Sequence, residues 1–194
     1  MYKRCTSENA ARLQREVESC LVRAMLKYSY QDIKVTSLCE SSGLSRRNFY
    51  RLFDTKDDVL YALIDHAIVG YAGYTLPTDQ VAPDISVELQ SFFSYWYQQQ
   101  PLLDALYKNK MSSLLVERIM MHVASEDGQT MRMIDADNHQ NGTEKFVFFM
   151  QGFIGLVIYW HHSGYAKSIN EMASIAQELF STPPVRFPDL FKYL

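Results

Sequence analysis

Apolar side chains recur at three- and four-residue intervals along nearly the whole chain, and no stretch alternates strictly enough to read as a strand. The pattern predicts an all-α protein. Leu13, Val17, Leu21 and Ala24 make one stripe of a first helix over residues 8–28, and two shorter helices follow over 35–41 and 46–53. Asp54 or Thr55 caps a longer fourth helix, with Asp57 and Asp58 in its first turn and Leu60, Leu63, Ile64 and Ala67 facing inward. Gly70 and Gly73 weaken its end, and Pro77 and Pro83 make residues 75–83 the best boundary between two parts of the molecule. Beyond it, Asp84 caps a helix to 99, Pro101 starts a short helix to 109, and residues 111–125 continue as another. Residues 126–142 are polar and read as loop. Thr143 caps a helix to 162 that Gly164 ends, and Ser168 with Glu171 makes a capping box for a last helix through 180. Pro183, Pro184 and Pro188 forbid regular helix after that.

Residues 33–60, IKVTSLCESSGLSRRNFYRLFDTKDDVL, carry the clearest local signal. Leu38 and Cys39 end a short apolar face, Gly43 can take the left-handed conformation of a helix stop, and Ser45 is a good N-cap for a new helix at Arg46. The result is a helix-turn-helix. In its second helix Phe49, Leu52 and Phe53 can pack on Leu38 and Leu44, which leaves Arg46, Arg47, Asn48, Tyr50 and Arg51 outward. Such a face suits the major groove of DNA. Arg can chelate a guanine edge, Asn an adenine edge or a phosphate, and the helix N-terminus attracts a phosphate.

At these residues the chain resembles the TetR/AcrR family of transcription regulators. The family's pattern Gly-x-Ser, four residues, Tyr-x-x-Phe-x-x-Lys is met without a gap by Gly43, Ser45, Tyr50, Phe53 and Lys56, and the Arg46-Arg47 and Phe49-Tyr50 pairs are similar to its recognition helix. The match is specific over residues 10–70; the remainder resembles the family in helical layout and length. The resemblance implies a homodimer with an N-terminal three-helix DNA-binding domain over 1–55, a connecting fourth helix over 56–74, and an effector-binding and dimerisation domain over 75–194. It implies phosphate binding by Tyr50 and Lys56, and a DNA-contact set completed by Lys34, Thr36, Ser45, Arg46, Arg47, Asn48 and Arg51. Lys34 and Asn48 stand where the family often has Thr, a departure that bears on the target sequence rather than on DNA binding.

Charge divides the chain in the same place. Residues 1–56 hold 11 Lys and Arg against 6 Asp and Glu, a net of +5, while residues 57–194 hold 8 against 16, a net of −8, which together make the chain's −3. A basic end is joined to an acidic body, and only the former suits a DNA backbone. Arg12, Arg15, Arg23 and Lys27 read more simply as the solvated face of the first helix. Cys5, Cys20 and Cys39 have neither a metal spacing nor an even disulfide framework. They suit a reducing cytoplasm, as does the absence of a signal peptide in the opening Met-Tyr-Lys-Arg-Cys-Thr.

The run FVFFMQGFIGLVIYW at 146–160 is apolar nearly all round, so a helix there must be covered on more than one side. It is too short for a membrane span and is interrupted by Gln151. Two arrangements cover it: a large monomeric core with this helix at its centre, or a dimer interface in which Phe148, Gly152, Gly155 and Tyr159, with Ile175 and Leu179 of the last helix, meet a symmetry mate as a four-helix bundle. The family resemblance favours the dimer.

An apolar effector pocket could draw its walls from Phe92, Phe93, Trp96, Tyr97, Tyr107, Met111, Leu115, Phe149 and Phe153, with His122 as a polar anchor. An aromatic stripe at helical spacing is more often core. His161 and His162 diverge by about 100° on a helix and do not share a metal. No nucleophile elbow, HExxH, P-loop or dinucleotide fingerprint occurs, so neither enzymatic activity nor a cofactor or metal is expected. The expected function is a cytoplasmic repressor that double-stranded DNA binds and a small molecule releases. An activator, or a helical module that meets an acidic protein partner, is the alternative. The operator, the effector and the sign of regulation are not written in the residues.

Overall fold

The computed structural model describes residues 7–75, 84–124 and 142–181, and every regular element among them is helical. Nine α-helices follow in order: α1 (Glu8–Met25), α2 (Val35–Ser42), α3 (Arg46–Leu52), α4 (Lys56–Thr75), α5 (Ile85–Gln98), α6 (Gln100–Lys108), α7 (Ser113–Ala124), α8 (Gly142–His162) and α9 (Ile169–Ser181). A single 3-10 turn, Tyr30–Asp32, sits between α1 and α2.

The ends of these helices follow side-chain chemistry that acts within one turn. Ser7 Oγ accepts the Ala10 N–H at 3.3 Å to open α1, and Asp84 accepts the Ser86 N–H at 3.1 Å to open α5. Thr55 and Asp58 exchange bonds at the start of α4, and Ser168 and Glu171 form the expected box before α9. Burial of Phe49, Phe53, Leu38, Val17, Leu21 and Met25 joins α1, α2 and α3 to the first turns of α4. The rest of α4 packs on α5 and α7; α8 packs on α6 and α7, and α9 on α5. Phe93, Leu106, Leu115, Ile154 and Trp160 fill that second part of the core.

Several boundaries differ from the sequence expectation. Helix α1 stops at Met25 rather than at 28, because the chain bends to present the Tyr30–Asp32 turn to distant side chains. Helix α4 runs through Gly70 to Thr75 without a break. Gly70 is a point of close approach: a Cβ there would lie 2.6 Å from the Tyr95 hydroxyl, which donates to the Ala67 carbonyl. Helix α7 begins at Ser113 rather than 111, since Lys110 turns left-handed (φ 59°) and the Met111 N–H closes back on the Leu106 carbonyl. Helix α8 starts at Gly142, so Thr143 lies inside it. The expected boundary about Pro77 and Pro83, the polar stretch 126–141 and the proline-rich end lie outside the described residues.

Helix α4 carries two adjacent acid–base pairs, each with a buried carboxylate, one toward α7 and one toward α1. Asp65 receives Arg118 of α7 through two bonds, Nε at 2.8 Å and a second from Nη2, and has His122 Nε2 at 3.1 Å. Burial pushes the Asp65 carboxyl up, and the hydrogen bonds from His122 and Arg118 outweigh it and hold the group below the usual carboxylate range. The next residue, His66, places Nδ1 3.0 Å from the buried Glu18 of α1.

Candidate nucleic-acid interface

The geometry of the turn is set by two residues. Gly43 is left-handed at φ 67°, a conformation it takes without penalty because it has no Cβ, and the Leu44 N–H returns to the Cys39 carbonyl at 3.0 Å. Ser45 is extended, and its Oγ accepts the Asn48 N–H at 3.2 Å, so α3 starts at Arg46. Phe49 and Leu52 are buried beneath it. Arg46, Tyr50, Arg47 and Arg51 then fall, at 100° per residue, within an arc of about 140° on the opposite side. All four are exposed, Asn48 is exposed about 60° beyond that arc, and Lys34 and Thr36 are exposed at the start of α2. The arrangement offers three guanidinium groups and a phenol on one short helix that its own core residues hold in place. Burial pushes the Cys39 thiol behind this helix up, which suits a packing role.

Lys56 differs from the set. Its ammonium donates to the carbonyls of Tyr30, Gln31 and Ile33 at 2.6, 3.3 and 2.9 Å and lies 4.4 Å from the centre of the Tyr30 ring. The Tyr30 hydroxyl in turn donates to Asp57 at 2.5 Å; burial first, and then that carboxylate, push the phenol up. Lys56 therefore ties the α1–α2 connection to the start of α4. Lys56→Met keeps the stem and removes three charge-assisted bonds, and is expected to cost about 2 kcal/mol of stability, measured by urea unfolding. Loss of DNA affinity with unchanged stability would contradict this role.

The residues expected to line one pocket are not in one place. Phe92 and Phe153 pack together at 5.5 Å, Phe149 follows Phe153 at 6.3 Å, and Tyr71 closes on Phe92 at 5.3 Å. Trp96 and Leu115 are core. His122 is engaged with Asp65. Tyr107 is a correction: it is 52% exposed and stacks 4.4 Å from His162. That end of α8 lies about 20 Å along the helix from Phe149, because each residue advances the axis by 1.5 Å. Met111 is a second correction, since it lines an open cleft of about 460 Å³ beside Tyr28 and Lys108, where α1 meets the bend after α6. A second cleft of about 460 Å³ opens between α1 and α2 at Cys20, Arg23 and Ser37. Of the residues expected at a dimer interface, Phe148, Gly152, Gly155 and Tyr159 lie along one stripe of α8, and Ile175 and Leu179 lie on α9. Phe148 is 74% and Tyr159 66% exposed, Gly152 and Gly155 are open between them, Leu179 is exposed and Ile175 half-buried.

Sequence reasoning missed Glu18, His66, Asp65, Arg118, Tyr30 and Asn109. Glu18 follows Val17 and Asp65 follows Ile64 on inward stripes, positions that ordinarily form a solvated border, so nothing local marks them as buried. Among the described residues no group of three or more His, Cys, Asp or Glu side chains could hold a metal ion, and no helix is long and apolar enough to cross a membrane.

No protein-family model matches the chain, and no curated protein matches it in sequence. Solved structures do match it in fold. A candidate transcriptional regulator from Rhodococcus sp. RHA1, a structural-genomics structure, superposes with a TM-score of 0.55 over 89% of this chain and 97% of that one, at 12% identity. The fatty acid degradation regulator FadR from Bacillus halodurans superposes with a TM-score of 0.52 over 91% of this chain and 96% of that one, at 13% identity. The chain shares the all-helical fold of these two structures. It consists of an N-terminal helix-turn-helix followed by a larger helical part, and at these identities the likeness extends to architecture alone.

Proposed function

We propose that this all-helical fold serves a TetR/AcrR-like DNA-binding regulator, a homodimeric cytoplasmic repressor whose hold on a duplex operator is relieved by a small, mostly apolar molecule. The observation that carries the reading is the outer face of α3, where Arg46, Arg47, Tyr50 and Arg51 stand together on a helix that Ser45 caps and Phe49 anchors. The +5 net charge of residues 1–56 supplies the attraction for phosphate, and the −8 of the remainder turns the rest of the molecule away from it. Residues 1–55 form the DNA-binding domain in this reading, 56–74 the connecting helix, and 75–194 the domain for effector and partner. Selection of bound duplexes from random DNA, repeated with candidate ligands, tests it; recovery of no preferred sequence at any salt concentration would reject it.

The second copy docks on α8. Phe148, Gly152, Gly155 and Tyr159 recur at four, three and four residues and form one stripe. A Cβ built at Gly152 or Gly155 meets nothing within 4 Å inside the protomer, so internal packing does not require either glycine. Each costs its helix about 1 kcal/mol relative to Ala. Close approach of a symmetry-related helix accounts for that cost. Gly155→Glu is therefore expected to leave the protomer folded, with unchanged circular dichroism, and to shift the protein from dimer to monomer in light scattering. A wild type that is monomeric at micromolar concentration would refute the interface.

For the effector, the aromatic group of Tyr71, Phe92 and Phe153 supplies apolar walls. Trp96 is 2% exposed, and its indole N–H has no acceptor among the described residues. A ligand with one acceptor group and a large apolar area would satisfy both.

A further inference from the structure

The end of α1 is closed by a side chain from much later in the chain. Asn109 follows α6, and its Oδ1 accepts the Tyr30 N–H at 2.7 Å, across 79 positions. Its Nδ2 donates to the Met25 carbonyl at 3.1 Å, across 84 positions, and to the Ala105 carbonyl of α6 at 2.8 Å. Lys108 adds a bond from its ammonium to the Leu26 carbonyl. Met25 is the last residue of α1, where a helix leaves carbonyls without internal partners, and Tyr30 opens the 3-10 turn. One amide thus caps α6 and α1 together. The chemistry demands an amide: a carboxylate would lack the donors, a hydroxyl would lack the reach and the second donor, and Tyr30 N–H and Met25 C=O fix which atom faces which.

We propose that Asn109 is a positioning residue that sets the angle at which the helix-turn-helix leaves the rest of the molecule. It provides a second joint beside α4, through which the larger helical part and the recognition helix communicate. The geometry behind this is mechanical. Helix α1 packs on α6 as well as on α4, and side-chain packing alone leaves it able to slide and turn within that contact. Helix α1 is the base on which α2 and α4 pack, and a second fastening at its far end removes that freedom. Lys56 holds the same connection from the α4 side, so residues 26–33 are gripped from both parts at once. Asn109 touches no nucleic acid in this scheme and acts through α1; the DNA part of the inference rests on the function proposed above.

The test uses the full chain with Asn109→Leu, which removes all three bonds at similar size. Hydrogen exchange is expected to show the Tyr30 amide and the end of α1 losing protection while α3 and α8 keep theirs. Affinity for the preferred duplex is expected to fall about tenfold, within the usual span of coupling between sites. Affinity for random duplex and its salt slope stay as in the wild type, because every contact residue is intact. Asn109→Asp, the second variant, keeps the acceptor for Tyr30 but sets a carboxylate oxygen against the Met25 and Ala105 carbonyls, so it should retain more Tyr30 protection than the Leu variant while losing preference at least as far; it decides the matter if the Leu variant does not fold. A protected Tyr30 amide in Asn109→Leu, or a preference ratio equal to the wild type's, overturns the proposal. So does a parallel loss of both affinities with faster exchange in α3, which would mean simple unfolding of the head. Should the wild type prefer no duplex at all, the proposed function fails separately, and the exchange pattern still decides whether Asn109 fastens α1.

Discussion

Arg46→Ala/Arg47→Ala is expected to bind the preferred duplex at least roughly thirtyfold more weakly than the wild type, since each base-edge or phosphate contact contributes about 1–3 kcal/mol. Its melting temperature should not move. Both side chains are exposed on α3, Phe49 and Leu52 hold the helix from the other side, and Ala is a better helix former than Arg. The salt dependence separates the two ways in which the contacts can be lost. If the guanidinium groups read guanine edges, discrimination between preferred and random duplex shrinks while the slope of log K against log salt stays nearly constant. If they bind phosphate, both duplexes weaken alike and the slope falls by about one for each contact. Wild-type affinity in the double variant would remove α3 as the recognition helix.

The second large effect is on stability. Asp65→Asn leaves Arg118 facing a neutral amide in a site where the Asp65 side chain is 3% and the Arg118 side chain 14% exposed. Breaking a buried pair on one side costs about 3–5 kcal/mol, and the partial opening at Arg118 and His122 places this one near the lower end, so the melting temperature should drop by roughly 10 °C. The pH dependence follows from the direction of the shift. The folded-state carboxyl lies below its unfolded value of about 3.9, so the stabilisation is complete above that pH and is lost as pH falls through the depressed folded value. Wild type and variant should therefore differ most near neutrality and converge in acid. Asp65→Leu/Arg118→Met removes both charges together and should recover much of the loss, because apolar groups of similar volume often replace a buried pair at little cost. A double variant as unstable as Asp65→Asn would show that the pair is not the cause. Helix α4 would lose the charged part of its tie to α7 in the single variant while the Glu18–His66 tie to α1 remains, which makes it a useful background for the Asn109 experiments.

The helix-turn-helix was legible in the residues because its determinants act within about one turn of helix. Gly43 adopts the left-handed conformation, Ser45 caps α3, and Phe49 and Leu52 turn inward, each as spacing and backbone preference require. The capping box at Ser168 and Glu171 and the start of α5 at Asp84 were readable for the same reason. Periodicity also marked Phe148, Gly152, Gly155 and Tyr159 as one face of α8, whose exposure in the protomer no pattern could reveal.

What lay beyond the residues' own pattern was which partner each inward or polar side chain meets. The family resemblance implied a phosphate for Lys56, and its ammonium is bound to carbonyls 23 to 26 positions earlier. Asp65 and Arg118 are 53 positions apart, and Asn109 reaches Tyr30 across 79. Tyr107 of α6 and Phe149 of α8, both aromatic and both at helical spacing, stand about 20 Å apart along α8, since Tyr107 packs on His162. Periodicity states that a face is buried and is silent about what covers it. A polar group inside a protein is stable only when complementary groups stand at hydrogen-bond distance, and that distance is a property of how α1, α4, α6 and α7 cross rather than of any segment of the chain.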